Sequence, residues 1–145
     1  MIIFMPFDDF TWSARCLDNP DLSVLRLDIL RAMQSLSYGD TEWDNHPGVL
    51  MWKGHERALL AYQQAVCYEW TTVRGQEDIY WDLTRSIFLD VTPDPMSMPL
   101  IPPCWMGNFD LHISHQSNLL RINETHYRKH FPGIRTDHPY IWPSN

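Results

Sequence analysis

Apolar residues recur at helical spacing along most of this 145-residue chain. In "LDNPDLSVLRLDILRAMQSL" the positions Leu22, Leu25, Ile29, Met33 and Leu36 fall on one stripe of an α-helix. Asn19 followed by Pro20 supplies the start, a capping residue and then a proline at the first helical position. In "DNHPGVLMWKGHERALLAYQQAVCYEW" Pro47 sits at a second first turn, and Trp52, His55, Leu59, Tyr62, Val66 and Trp70 share a stripe. The spacing predicts one long helix here, bent at Gly54. "DIYWDLTRSIFL" repeats Ile79, Leu83 and Ile87 four apart and predicts a third helix, whose Ile-Phe-Leu end also has strand character. Asp110 to Arg121 and Asn123 to His130 read as two short helices, the second stopped by Pro132 and Gly133. Between these groups Pro93, Pro95, Pro99, Pro102 and Pro103 remove backbone donors and bar helix, so this stretch is an extended surface loop. No strand pattern of convincing length and no internal repeat appears. The expected fold is all-α, a compact helical bundle with a Pro-rich loop, forming one domain over residues 1–145.

Composition narrows the class. An apolar content of 44% supports a real core, and no window approaches the roughly 18 uncharged apolar residues of a membrane span, so no membrane partner is expected. Cys16, Cys67 and Cys104 are odd in number and scattered, which points to reduced thiols. The start "MIIFMPFDDF" lacks a basic region and a small-residue cleavage site, so the expected address is cytoplasmic. The net charge of -7 opposes nucleic-acid binding when taken whole. It is uneven, however. Beyond Asp110 only Glu124 and Asp137 are acidic, against Arg121, Arg128, Lys129 and Arg135. An anion-binding face would draw on this tail, and the acidic remainder offers a surface to a basic protein partner.

Candidate chemistry gathers in "FDLHISHQSNLLRINETHYRKHFPG", which holds four of the seven histidines. His112 and His115 lie three apart and His126 and His130 four apart, so each pair shares a helix face. That spacing permits a metal, but no carboxylate accompanies the histidines in a ligand-like motif, and no metal is expected. His112, His115 and Asn118 are suited to holding phosphates or base edges; a polar helix packed on the Pro loop is the equal alternative. Arg26 falls within the apolar arc of the first helix, where an unpaired charge is costly. Asp28, flanking that arc, is one partner for it, and an ordinary ion pair is the alternative. No P-loop, G-x-S-x-G or H-E-x-x-H motif occurs, and no cofactor is expected.

The segments "MIIFMPFDDFTWSARCLDNPDLSVLRLDIL", "NHPGVLMWKGHERALLAYQQAVCYEW", "LHISHQSNLLRINETHYRKHFPG" and the end "HPYIWP" form a recognisable ordered set. It resembles the pyrimidine-dimer DNA glycosylase (endonuclease V-like) family, above all its uncharacterised bacterial relatives. The resemblance runs over nearly the whole chain, interrupted by an enlarged insertion at 75–103. It implies an all-α domain that flips a nucleotide from DNA and cleaves its glycosidic bond with an N-terminal amine. An α-amine, with a reference pKa of about 7.7 to 8.0, is partly neutral at physiological pH and can form a Schiff base at the sugar. The resemblance implies the Met1 amine as nucleophile, because Ile2 is too bulky for removal of the initiator methionine, and Asp28 at the family's glutamate position. Arg26 is then a phosphate contact, and "HYRKHFPG", with Tyr127, Arg128 and Lys129, matches a DNA-contacting stretch. Together with His112, His115, Asn118 and Arg121 these residues are expected to form an anion-facing wall of the same cleft. Asp28 is one methylene shorter than glutamate, and Ser23, Val24 and Leu25 stand where relatives carry basic residues. The expected ligand is DNA or a nucleotide, with damaged or modified pyrimidines as substrates. The alternative is an inactive homologue that binds a nucleotide or a protein partner.

Overall fold

The computed structural model describes residues 1–95 and 97–143, and every regular element among them is helical. The expected all-α class is therefore what the chain adopts. Met96, Ser144 and Asn145, which the single-domain and insertion expectations include, lie outside the described residues.

The N-terminal seven residues carry no regular secondary structure. A short helix the periodicity missed follows, α1 (Phe10–Cys16), started by the Asp9 carboxylate accepting the Trp12 amide at 2.8 Å. Helix α2 (Asn19–Tyr38) starts one residue earlier than expected, because Asp18 rather than Asn19 caps it by accepting the Asp21 amide. Gly39, at φ +72°, ends it. Its stripe of Leu22, Leu25, Ile29 and Met33 is buried as the spacing requires.

The predicted long second helix is two pieces, α3 (Pro47–Leu50) and α4 (Glu56–Tyr68). Gly54 takes φ +83°, a left-handed conformation incompatible with helix, and separates the two pieces. The turn drives Trp52 inward, where its ring meets Trp105 edge-on at 5.0 Å and stacks with Tyr62 at 6.1 Å. Helix α4 runs on into one wide π-turn, Glu69–Val73. Arg74 closes that turn onto α1, donating to the carbonyls of Arg15 and Leu17 and pairing with Glu69 at 3.1 Å.

Helix α5 (Tyr80–Val91) is helical through Ile87, Phe88 and Leu89, so the strand alternative is excluded, and it packs on α2 and α4. The Pro-rich stretch leads to Trp105, whose indole N–H donates to the Met51 carbonyl at 2.7 Å. Helix α6 (Phe109–Ile122) precedes α7 (Glu124–Tyr127), which is shorter than predicted. The amides of His130 and Phe131 both turn back onto the Tyr127 carbonyl, and Tyr127 and Phe131 stack in the core at 5.9 Å.

Candidate active site

The N-terminal segment is buttoned to the core one residue after another. Ile3, Phe4 and Met5 are buried. Tyr62 donates its hydroxyl to the Phe4 carbonyl at 2.5 Å. His115 Nδ1 accepts the Met5 amide at 2.8 Å, and His112 Nδ1 bonds the Met5 carbonyl at 2.7 Å. His112 Nε2 meanwhile accepts the Gly107 amide, which fixes the proton on Nδ1 and makes it the donor to Met5. Gln116 adds a bond to the Pro6 carbonyl. An extended segment has no ladder of its own, so these side chains satisfy its backbone groups.

This anchoring delivers Met1 to the middle of α2. Asp28, buried there, receives the Ile2 amide and lies within electrostatic reach of the Met1 amine. Arg31 approaches it at 3.7 Å, one turn along the helix. Burial raises the Asp28 pKa above the ordinary carboxylate value, against the lowering pull of the amine, Arg31 and the Ile2 amide. A carboxyl so placed is suited to holding and passing a proton.

His46 completes the group. It caps α3, its Nδ1 accepting the Gly48 amide at 2.9 Å. Trp43 and Trp142 meet its ring edge-on at 5.9 and 6.2 Å, and Tyr140 stacks on Trp142. A Cβ at Gly48 would stand 2.9 Å from the Met1 carbonyl oxygen and 3.0 Å from His46 Nδ1, so only glycine lets the two approach. The sequence reading missed His46, Arg31 and Trp43; an imidazole before Pro47 in a capping position was the available signal.

Arg26 stands elsewhere. Two residues from Asp28 on a helix, it points to another side and pairs with Asp78, from Nη2 at 2.5 Å and from Nε at 2.8 Å. Trp70 and Tyr80 cover its guanidinium at 4.8 and 4.9 Å. The pairing of Arg26 with Asp28 offered by the sequence does not form; the buried cation takes its carboxylate from the segment before α5.

The residues expected as an anion-facing wall divide. His112 and His115 hold Met5, and burial lowers the His115 pKa to about 3. Asn118 and Arg121 bond each other and both reach the His138 carbonyl, tying the C-terminal segment to α6. Tyr127 donates to Asp21 at 2.6 Å and accepts the Asp18 amide, so it braces the start of α2. Arg128 donates to the Ile134 carbonyl and pairs with Glu124. Lys129 lines an open depression of about 600 Å³ with Arg15, Arg74, His126 and His130, beside Asp18 and Asn19. Asp18 and Asp28 are ten residues apart on α2, about 15 Å along its axis, so this basic surface and the Asp28 site lie at different levels of one helix.

No helix among the described residues is long and apolar enough to cross a membrane. No curated protein and no solved structure matches the chain. The family model for pyrimidine dimer DNA glycosylase does match, over residues 1–82. That span runs from Met1 through Asp28, His46 and the Arg26–Asp78 pair to the first turn of α5, and with more than half its length so matched the chain belongs to the pyrimidine dimer DNA glycosylase family.

Proposed function

We propose that the protein is a DNA N-glycosylase and AP lyase acting on damaged or modified pyrimidine nucleotides through a Schiff base on the Met1 amine. The observation that carries this reading is that the Met1 amine lies within electrostatic reach of Asp28, a carboxyl that burial raises and that accepts the Ile2 amide. The neutral amine would donate its lone pair to the sugar C1′, and the glycosidic C–N bond would break with its electron pair leaving on the base. Asp28 would stabilise the cationic sugar and take the proton released as the amine becomes an imine. Loss of a C2′ proton from that imine would then expel the 3′ phosphate, which is the lyase step. Phosphate contacts would come from Lys129 and Arg15 on the basic depression, which at a different level of α2 suits the flank of the lesion rather than the lesion itself. The domain is read as 1–145, with 75–103 as an enlarged segment that contributes Asp78 and α5.

The test is borohydride trapping with DNA carrying a pyrimidine dimer or an abasic site, followed by peptide mass analysis. The expected result is a covalent adduct on Met1, formed by the native protein and abolished in Asp28→Asn with DNA affinity retained. Binding with no adduct on any lesion would sink the glycosylase reading. That outcome would leave an inactive homologue that binds a nucleotide or a protein partner, a reading favoured by the internal bonding of Arg26, Arg121 and Arg128.

A further inference from the structure

We propose that His46 is a positioning residue for the Met1 amine, acting through its imidazole ring; the inference rests on the amine chemistry proposed above. The Gly48 amide and the edges of Trp43 and Trp142 fix the ring. Met1 is packed on the same turn, since its carbonyl and the ring flank the gap left by the missing Gly48 side chain. Ring and N-terminal residue therefore set each other's place, and Asp28 lies within electrostatic reach of both.

The bond to Gly48 also makes the arrangement sensitive to acid. With Nδ1 accepting, the neutral ring carries its proton on Nε2, and a second proton can enter only at Nδ1 by breaking the Gly48 bond. Burial first, and then the neighbouring amine, hold the His46 pKa below its ordinary value, with Asp28 opposing. At neutral pH the ring is uncharged. In acid it becomes a cation beside the amine and lets go of the turn. The charges that face it are the Met1 amine and, from α2, Asp28 with Arg31 behind it; Trp43 and Trp142 add none.

The test uses the full chain and the variant His46→Asn, since asparagine is a good cap that can still accept the Gly48 amide but has no ring. Reductive methylation of the Met1 amine by formaldehyde and cyanoborohydride, read by peptide mass spectrometry, needs no DNA. The rate is compared with that of a free peptide of residues 1–6 across pH 5 to 8. The native amine should be protected several-fold at pH 7, and the protection should be lost as the pH falls below the ordinary imidazole value. His46→Asn should lose most of the protection and all of its pH step, although Asp28 is still present. Gly48→Ala, whose methyl would crowd both the Met1 carbonyl and the His46 ring, should lose protection too. In trapping on abasic DNA, both variants should form imine at least tenfold more slowly with DNA affinity unchanged. A His46→Asn profile that matches the native one overturns the proposal. Native protection with the expected pH step, but no trapping on DNA, would support the role of His46 and remove the glycosylase reading instead.

Discussion

The burial of His115 makes stability depend on pH between the pKa values of this group in the unfolded and the folded chain. The imidazole is fully buried, accepts the Met5 amide at 2.8 Å and is ringed by Phe4, Tyr140 and Trp142 at 6.1, 5.8 and 6.4 Å. With Nδ1 accepting, the neutral ring carries its proton on Nε2, which finds no hydrogen-bond partner among the described residues, and a second proton could enter only at Nδ1 by breaking the Met5 bond. Burial first, then repulsion from His112, lowers its pKa from 6.5 to about 3. In the unfolded chain the same group takes up a proton near pH 6.5. The stability tied to His115 is therefore fully present above that value and falls continuously as the pH drops from 6.5 toward 3. At about 1.4 kcal/mol per pH unit, the loss between pH 6.5 and pH 4.5 is about 2 to 3 kcal/mol, a large share of a domain's stability. Urea unfolding followed by tryptophan fluorescence measures it, with native protein and His115→Gln compared at several pH values in that window. Glutamine does not titrate and can still offer an oxygen to the Met5 amide. The native curve should lose stability on acidification, and the variant should lose about 2 kcal/mol less. Parallel curves would refute the reasoning, because they would mean that His115 is already hydrated or charged in the folded state.

Three further outcomes are expected. Asp28→Asn should abolish imine trapping while DNA affinity stays within about twofold, as read by fluorescence anisotropy, since one neutralised buried carboxyl removes proton transfer without removing a phosphate contact. Arg26→Met, which strands the buried Asp78 carboxylate, should destabilise the fold by about 3 kcal/mol in urea, and pairing it with Asp78→Leu should recover part of that loss. If the basic depression meets a DNA backbone, Lys129→Ala should reduce the slope of log affinity against log salt by about one, whereas Arg121→Ala should leave that slope unchanged and loosen the C-terminal segment instead.

Much of this protein is local, and local features were legible in the sequence. The start of α2, its buried stripe, the helix over Tyr80–Val91 and the non-helical proline stretch all follow from capping, 3.6-residue periodicity and missing backbone donors. Each depends on residues within a turn or two of one another. The resemblance that named Met1 and Asp28 belongs here too, because it rests on the order of segments. Periodicity reports which face of a helix is buried and is silent about what covers it. Arg26 on an apolar arc demanded a carboxylate, yet the choice of Asp78 over the nearby Asp28 required α5 to pack against α2. His112 and His115 had the spacing of ligands, but bonds spanning more than a hundred residues gave them the Met5 backbone to hold. Gly54 marked a bend in the sequence, but that it takes a left-handed conformation and breaks the helix, with Trp52 packed against Tyr62 and Trp105, is settled in the packed core. His46 meets Met1 because a glycine two positions on leaves room for both. A polar side chain's partner is set by which elements the buried apolar surface brings together, and that choice is made by the tertiary packing.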